Sequence, residues 1–265
     1  MPGYDRGPDV PAHTMFPRAL LAVLTALFLA ACATPGADTP RAVPATAACH
    51  PAPEASRPQL IVGYGSLMED ASRERTSPRA GPAHPVEVEG FRRGWFARGS
   101  PVGFSTTYLG VVEDPHGRLN AVAYSVDAAE LAATDAREAS YCRARVPPAA
   151  LAPREQGFAF PADAQAWIYV GTPESIAPPD ARFPIVQSYV DVFLSGCLEQ
   201  EERHGIAGFA DECVATTSDW SASWVNDRIF PRRPFVHQPR AHRIDALLAA
   251  RLGALFSGIR IEGGS

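Results

Sequence analysis

The sequence predicts an α+β protein built from a small mixed, barrel-like β-sheet with flanking helices. Short apolar or alternating segments, which are typical of strands, dominate residues 59–170. Two segments with apolar residues at helical spacing follow, at Ile185–Arg203 and Arg240–Phe256. Because the strand patterns come first and rarely alternate with helix patterns, the order favours an α+β class over an α/β class.

The first strands are predicted from short local patterns. Gln59–Tyr64 is apolar and rich in β-branched residues, and it leads into a glycine turn. Val86–Arg98 alternates between apolar and polar residues, as a half-buried strand does. Thr106–Glu113 and Leu119–Val126 flank Asp114–Arg118, whose Pro and Gly favour a turn, so we expect a β-hairpin there.

A short helix is expected after this hairpin. Asp127 is a suitable N-cap, and Glu130 three residues later completes a capping box. The helix would run through Asp135 and Glu138. Two further strand patterns follow it, at Tyr141–Val146 and Gln165–Val170.

The N-terminal region has the pattern of a secretory signal. Arg18 precedes an apolar run, Ala19–Phe28, that is too short to span a bilayer comfortably. The run ends in Leu-Ala-Ala-Cys at residues 29–32, which is similar to the bacterial lipobox. We therefore expect a signal peptide over residues 1–31 and lipidation of Cys32. The protein would then be anchored to the bacterial cell envelope by its lipid alone, facing the periplasm or the exterior.

A tether is expected between this anchor and the folded part of the chain. Residues 33–58 are rich in Ala, Pro and Thr and show no apolar periodicity, so they cannot bury enough surface to offset their ordering entropy. The predicted organisation is a lipidated cysteine and disordered tether over residues 32–58. A single folded domain with a helical C-terminal extension would span residues 59–265.

Composition excludes several classes of function. All 24 basic residues are arginines, so chemistry that needs a lysine amine, such as a Schiff base or a P-loop, is absent. The net charge is −5 without any basic run, and we expect no nucleic-acid partner. The seven histidines are scattered and no Cys/His spacing suggests zinc, so we expect no metal and no cofactor.

Cysteine usage predicts disulfides. With Cys32 assigned to lipid, four of the five cysteines remain, and an even number in an oxidising compartment permits two disulfides. Cys197 with Cys213 is the preferred pair, because it would tie a helix to the segment that follows. The alternative is that Cys142 and Cys197 are buried free thiols.

Two segments carry the chemistry: Gly63-Tyr64-Gly65-Ser66-Leu67 after the first strand, and Asp135-Ala136-Arg137-Glu138-Ala139-Ser140-Tyr141 after the short helix. Together with residues 90–95 and 120–124, they resemble the γ-glutamylcyclotransferase superfamily over residues 59–170. The resemblance implies the γ-glutamylcyclotransferase-like fold, a substrate-binding loop and a catalytic Glu138. It implies a small γ-glutamyl peptide or amine as substrate, released as 5-oxoproline and a free amine. The residues that the resemblance assigns to the substrate-binding loop are Tyr64, Gly65, Ser66 and Leu67.

The residue chemistry agrees with this resemblance. A glycine turn after a strand presents backbone N–H groups that suit an anion such as the substrate α-carboxylate. One carboxyl group can take a proton from the attacking amine and give one to the leaving nitrogen. The alternatives are an ordinary turn with a surface serine, and a Glu138 that pairs with Arg137 or Arg143 on a solvated face.

Two other functional interpretations remain open from sequence. A non-catalytic binding or scaffold lipoprotein on the same fold would contact a partner through Trp220–Trp224. Alternatively, the same site would cleave a different γ-glutamyl amide. The Tyr-Gly-Ser-Leu loop and Arg92-Arg93-Gly94-Trp95 are similar to ChaC-type enzymes that act on glutathione, but they do not fix the leaving group.

Overall fold

The computed structural model describes residues 49–99, 105–232 and 239–262. The expected signal peptide, Cys32 and residues 33–48 of the expected tether lie outside these ranges. Within them, no helix combines the length and the apolar character that a membrane crossing needs.

Two long antiparallel strands, β2 (His84–Gly99) and β3 (Thr106–Val126), form the centre of the sheet. The edge of β3 that faces away from β2 pairs with β1 (Gln59–Gly63), antiparallel and near the end of β3. The free edge of β2 pairs with two short strands, β5 (Leu151–Pro153) and β8 (Thr217–Ser218). This central pair therefore holds strands from both halves of the chain.

The sheet extends from β3 in two directions. Beyond β1 come β4 (Tyr141–Val146) and β6 (Gln165–Gly171), of which β6 is parallel to β1 and β4 is antiparallel to β6. At the other end of β3, a parallel series leads outward through β7 (Ile185–Val186), β9 (Trp224–Asn226) and β10 (Arg260–Ile261). The sheet is mixed and has helices around it, as the sequence predicts.

The sheet does not close into a barrel. Only residues 147–150 separate β4 from β5, and β5 pairs with β2, so a ladder between β4 and β5 would complete a ring. In the described part of the chain β4 pairs with β6 alone and β5 with β2 alone. The sheet therefore stays open between β4 and β5.

The predicted hairpin at Asp114–Arg118 is wrong. Strand β3 continues through this segment, and residues on both sides of it pair with β2: Phe91 with Glu113, and Glu89 with Arg118. Residues 114–117 are thus an insertion opposite Gly90, whose φ of +83° bends β2 at the same point. The Pro and Gly residues mark a bulge in a long strand, because the partner strand holds both flanks.

Both faces of β1 are buried, which explains its nearly continuous apolar sequence. Ile61 faces a core shared with the C-terminal helices, and Leu60 and Val62 face a second core inside the curve of the sheet. The strand that leads to the predicted substrate loop is therefore fixed on both sides.

The described residues form five α-helices beside the sheet: α1 (Asp70–Glu74), α2 (Ala128–Arg137), α3 (Gln187–His204), α4 (Phe209–Ala215) and α5 (Ala241–Ser257). The predicted capping box is present, since the side chain of Asp127 accepts from the Glu130 backbone N–H at 2.8 Å. Helix α3 begins two residues later than its apolar pattern, because Ile185 and Val186 pair as β7. Helix α4 has no predicted counterpart.

Residues 49–58 belong to the folded part, although their composition placed them in the tether. Cys49 is disulfide-bonded to Cys142. The Glu54 backbone N–H donates to the Gln165 side chain at 2.7 Å, and the Gln165 backbone N–H donates to the Pro58 carbonyl at 2.8 Å. The disulfide attaches this segment to β4, which offsets the ordering entropy that its composition alone cannot.

The predicted Cys197–Cys213 disulfide is present and links α3 to α4. Cys142 and Cys197 are therefore buried, as the alternative held, but not free thiols. The bond closes a segment with a sequence separation of 16 residues. We expect the double variant Cys197→Ala/Cys213→Ala to lose about 3 kcal/mol of unfolding free energy in denaturant titration. An unchanged midpoint and slope in the double variant would contradict this role.

Candidate active site

The Tyr64-Gly65-Ser66-Leu67 segment forms a tight loop at the end of β1. A single turn of 3₁₀ helix spans Ser66–Met68, and the Met68 N–H donates to the Gly65 carbonyl at 3.0 Å. The earlier N–H groups of such a turn have no acceptor within the turn. The loop therefore presents a short series of backbone donors next to the Ser66 hydroxyl.

The side chain of Tyr64 anchors this loop. Its hydroxyl donates to the Tyr169 carbonyl at 2.7 Å, and the residue is only 7% exposed. Burial raises the pKa of the Tyr64 phenol well above its ordinary value, with smaller contributions from Tyr141 and Glu138. Tyr64 thus stays neutral and holds the loop against β6.

A buried arginine holds the loop through a hydrogen bond to its backbone. Arg93 is fully buried on β2, and its Nη1 donates to the Tyr64 carbonyl at 3.1 Å and to the Asn120 carbonyl at 2.8 Å. Its guanidinium also lies 4.7 Å from the ring centroid of Phe193 on α3. Burial lowers the pKa of Arg93 to about 9, so it stays charged at neutral pH. The remaining N–H groups donate to Thr217, Asn120, Cys213 and Thr216.

Glu138 sits at the junction between α2 and β4. Its backbone N–H donates to the Thr134 carbonyl at 2.9 Å, and its carbonyl accepts from the Tyr141 N–H at 2.8 Å. The helix thus ends at Arg137, and Glu138 is the C-cap rather than an internal residue. Both backbone bonds fix the direction in which its side chain leaves the helix.

One pocket brings Glu138 and the loop together, although they are about 70 residues apart in the sequence. The pocket has a volume of about 30 Å³. The lining residues are Tyr64, Gly65, Ser66, Leu67, Leu109, Glu138, Tyr141, Tyr169 and Tyr189. All five residues proposed from the sequence as catalytic or substrate-binding thus share one site.

Arg137 connects the two parts of this site. Its Nε lies 3.1 Å from the Glu138 carboxylate, and its Nη2 donates to the Ser66 hydroxyl at 3.0 Å. The ion pair with Arg137 is the one the alternative interpretation of Glu138 expects. It does not place Glu138 on a solvated face, because the Glu138 side chain is 18% exposed and lines the pocket. Arg143 pairs with Asp135 instead, at 2.8 Å.

Tyr169 forms a polar wall of the pocket. Its hydroxyl donates to the Asp135 carboxylate at 2.7 Å, which also accepts from Arg143. Burial, and then the hydrogen bond to Asp135, raise the pKa of Tyr169. The phenol is therefore neutral and donates its proton in a hydrogen bond to Asp135. It is not the group expected to transfer a proton in this site.

Tyr189 closes the pocket from the C-terminal extension. A methyl group placed on Gly65 would lie 2.9 Å from the Tyr189 hydroxyl oxygen, so a larger residue at this position would displace the tyrosine side chain. The Tyr189 ring meets Tyr108 edge-on, with centroids 4.9 Å apart. Sequence reasoning missed Tyr189, since its place in α3 indicates only a buried helix face.

The two tryptophans of the Trp220–Trp224 segment are not exposed. Trp224 is fully buried, and Trp220 is partly buried and stacks on it with centroids 5.1 Å apart. Trp220 also lies 5.1 Å from the buried Trp95 ring. The two tryptophan rings therefore pack against the core, and only Ala222 of the segment is exposed. Among the described residues, no group of three or more His, Cys, Asp or Glu side chains is arranged to hold a metal ion.

Comparisons with known proteins give structural similarities only. No family model and no curated protein matches the chain. Similar solved structures include a γ-glutamyl cyclotransferase (13% identity, TM-score 0.48, covering 72% of this chain and 99% of that one). A human protein described as uncharacterised is 14% identical, with a TM-score of 0.46, over 70% of this chain and 96% of that one. A glutathione-specific γ-glutamyl cyclotransferase from yeast is 12% identical, with a TM-score of 0.36, over 60% of this chain and 97% of that one. Because one fold hosts many functions, the activity has to be argued from the site.

Proposed function

We propose that the chain is a γ-glutamylcyclotransferase that converts a γ-glutamyl peptide or amine into 5-oxoproline and the free amine. The observation that carries this proposal is the shared pocket of Glu138 and the Tyr64–Leu67 loop. The Glu138 side chain and the loop, whose early N–H groups have no acceptor within the 3₁₀ turn, line the same pocket. That pairing suits a substrate with an α-carboxylate to bind and an α-amine to deprotonate.

In the proposed reaction, the substrate's own α-amine attacks its side-chain δ-carbonyl carbon. The new C–N bond closes the five-membered ring, and the amide C–N bond to the leaving group breaks. The ring nitrogen loses a proton and the leaving nitrogen gains one, and Glu138 carries that proton between them. Because one group serves both nitrogen atoms in turn, one carboxylate is sufficient.

The loop contributes by positioning the substrate. The N–H groups of Gly65, Ser66 and Leu67 would hold the α-carboxylate, while Arg137 keeps Ser66 and Glu138 in a fixed relation. Intramolecular attack already has a large effective molarity when the reacting atoms are held close.

The test is a panel of γ-glutamyl compounds, including amino acids, peptides and simple amines, incubated with the purified protein. We expect 5-oxoproline release above the uncatalysed rate from at least one compound. Boiled enzyme provides the background for each compound. A panel that yields no 5-oxoproline above background would contradict the proposed activity.

We also propose that lipid at Cys32 anchors the protein to the cell envelope. The support is the lipobox-like Leu29-Ala30-Ala31-Cys32. A Cys32→Ser variant is expected to stay uncleaved or to leave the membrane fraction, because stable anchoring takes at least two acyl chains. The fractions are compared by immunoblot with those of the parent. Mature variant protein that remains in the membrane fraction would contradict the anchor.

A further inference from the structure

A second cavity adjoins the proposed active site. It has a volume of about 290 Å³ and shares Ser66 and Tyr189 with the first pocket as lining residues. Its other lining residues are Ser72, Arg75, Thr76, Arg137 and Val192. The two spaces are therefore neighbours that meet at Ser66 and Tyr189.

The charged groups of this cavity are positive. Arg75 and Arg137 are its two charged lining residues, and the remaining side chains are hydroxyls, a phenol and an aliphatic group. A cavity with this lining favours an anion and disfavours a cation. The negative charge of Glu138 belongs to the first pocket, where it pairs with Arg137.

The two arginines differ in how many of their side-chain N–H donors are already used. Arg137 already donates to Ser72 and Thr76 through Nη1, and to Ser66 and Ser72 through Nη2. Arg75 is exposed, and its side chain forms no hydrogen bond or ion pair with the described residues; only its backbone N–H donates, to the Arg73 carbonyl. Its guanidinium can therefore bind a carboxylate with two parallel hydrogen bonds.

We propose that this second cavity binds the leaving group of the substrate, and that Arg75 binds a carboxylate on that group. This rests on the proposed cyclotransferase function and deepens it. The substrates would be γ-glutamyl amino acids or short γ-glutamyl peptides, and γ-glutamyl amines without a carboxylate would be poor. The volume has room for about ten water-sized groups, which is enough for one amino acid or a small dipeptide.

The experiment uses ligands that cannot cyclise, so that binding is measured apart from turnover. Glutaryl-alanine keeps the α-carboxylate and the leaving-group carboxylate but lacks the attacking amine, and glutaryl-ethylamide lacks the leaving-group carboxylate as well. Calorimetry with the parent is expected to give about tenfold tighter binding of glutaryl-alanine. In Arg75→Ala this preference should disappear, while binding of glutaryl-ethylamide stays unchanged. Arg75→Lys should recover part of it.

A matched control and a rate measurement complete the test. Arg118→Ala removes another exposed arginine, one that pairs with Glu87 at 3.3 Å, and should keep the preference. With γ-glutamyl-alanine and γ-glutamyl-ethylamide as substrates, Arg75→Ala should raise KM about tenfold for the first alone.

The outcomes separate the two proposals. Equal binding of both ligands by the parent, or a preference that survives in Arg75→Ala, would overturn the subsite even if 5-oxoproline is released. A preference that depends on Arg75 without any 5-oxoproline release would support the subsite as an anion-binding site and overturn the proposed activity. If neither ligand binds and no substrate turns over, both proposals are contradicted.

Discussion

Glu138→Gln is expected to lower the rate of 5-oxoproline release by about 10²–10⁴-fold, because a glutamine cannot accept the proton. The amide keeps the size of the side chain and an oxygen that accepts from Arg137, which lies 3.1 Å from the carboxylate. The bond between Arg137 and Ser66 should therefore persist, and so should the loop. The rate is measured at saturating substrate for the parent and the variant.

Binding separates a chemical role from a structural one in this variant. The α-carboxylate is expected on the backbone of Gly65, Ser66 and Leu67, so Glu138→Gln should keep the ligand-induced rise in Tm. Glu174→Gln, a change at an exposed turn, is the control and should match the parent in rate. Turnover by Glu138→Gln at the parent rate would remove Glu138 from the mechanism.

Arg93→Ala is expected to lower the free energy of unfolding by about 4 kcal/mol or more. The change leaves the Tyr64 and Asn120 carbonyls buried without their donor, at about 1–3 kcal/mol for each unpaired group. It also leaves a cavity beside Phe193. Denaturant unfolding followed by tryptophan fluorescence measures the loss.

Two further variants identify the cause of this loss. Arg93→Lys should also be strongly destabilising, because an ammonium has three donors and cannot reach the partners of a planar guanidinium. Arg118→Ala, which removes a 63% exposed side chain with one ion pair, should change stability by at most about 1 kcal/mol. An Arg93→Ala variant as stable as the parent would show that the buried network does not support the fold.

The sequence predicts the parts of the site that depend on local pattern. The Tyr64–Leu67 loop follows from a β-branched strand that meets a glycine, and the start of α2 follows from the capping box of Asp127 and Glu130. The catalytic role expected for Glu138 rests on the family resemblance and not on the periodicity of the sequence. The pocket then brings both segments together.

The parts that the sequence does not predict depend on contacts between distant segments. Arg93 follows Arg92 in a strand, and a charged residue there is expected to face solvent. It is buried because carbonyls from β3, α4 and the loop surround it, and none of these lies near it in the sequence. The hairpin prediction failed for the same reason, since turn chemistry at 114–118 is local and pairing with β2 is not.

In the proposed reaction this pocket closes the substrate's own amine onto its side-chain carbonyl, and the identity of the products distinguishes that reaction from hydrolysis. The parent is incubated with γ-glutamyl-alanine, and 5-oxoproline, alanine and glutamate are quantified together by mass spectrometry. We expect equal amounts of 5-oxoproline and alanine, with no glutamate above the uncatalysed background. Alanine released together with glutamate would mean that water is the nucleophile, and intramolecular attack in this pocket would then be contradicted.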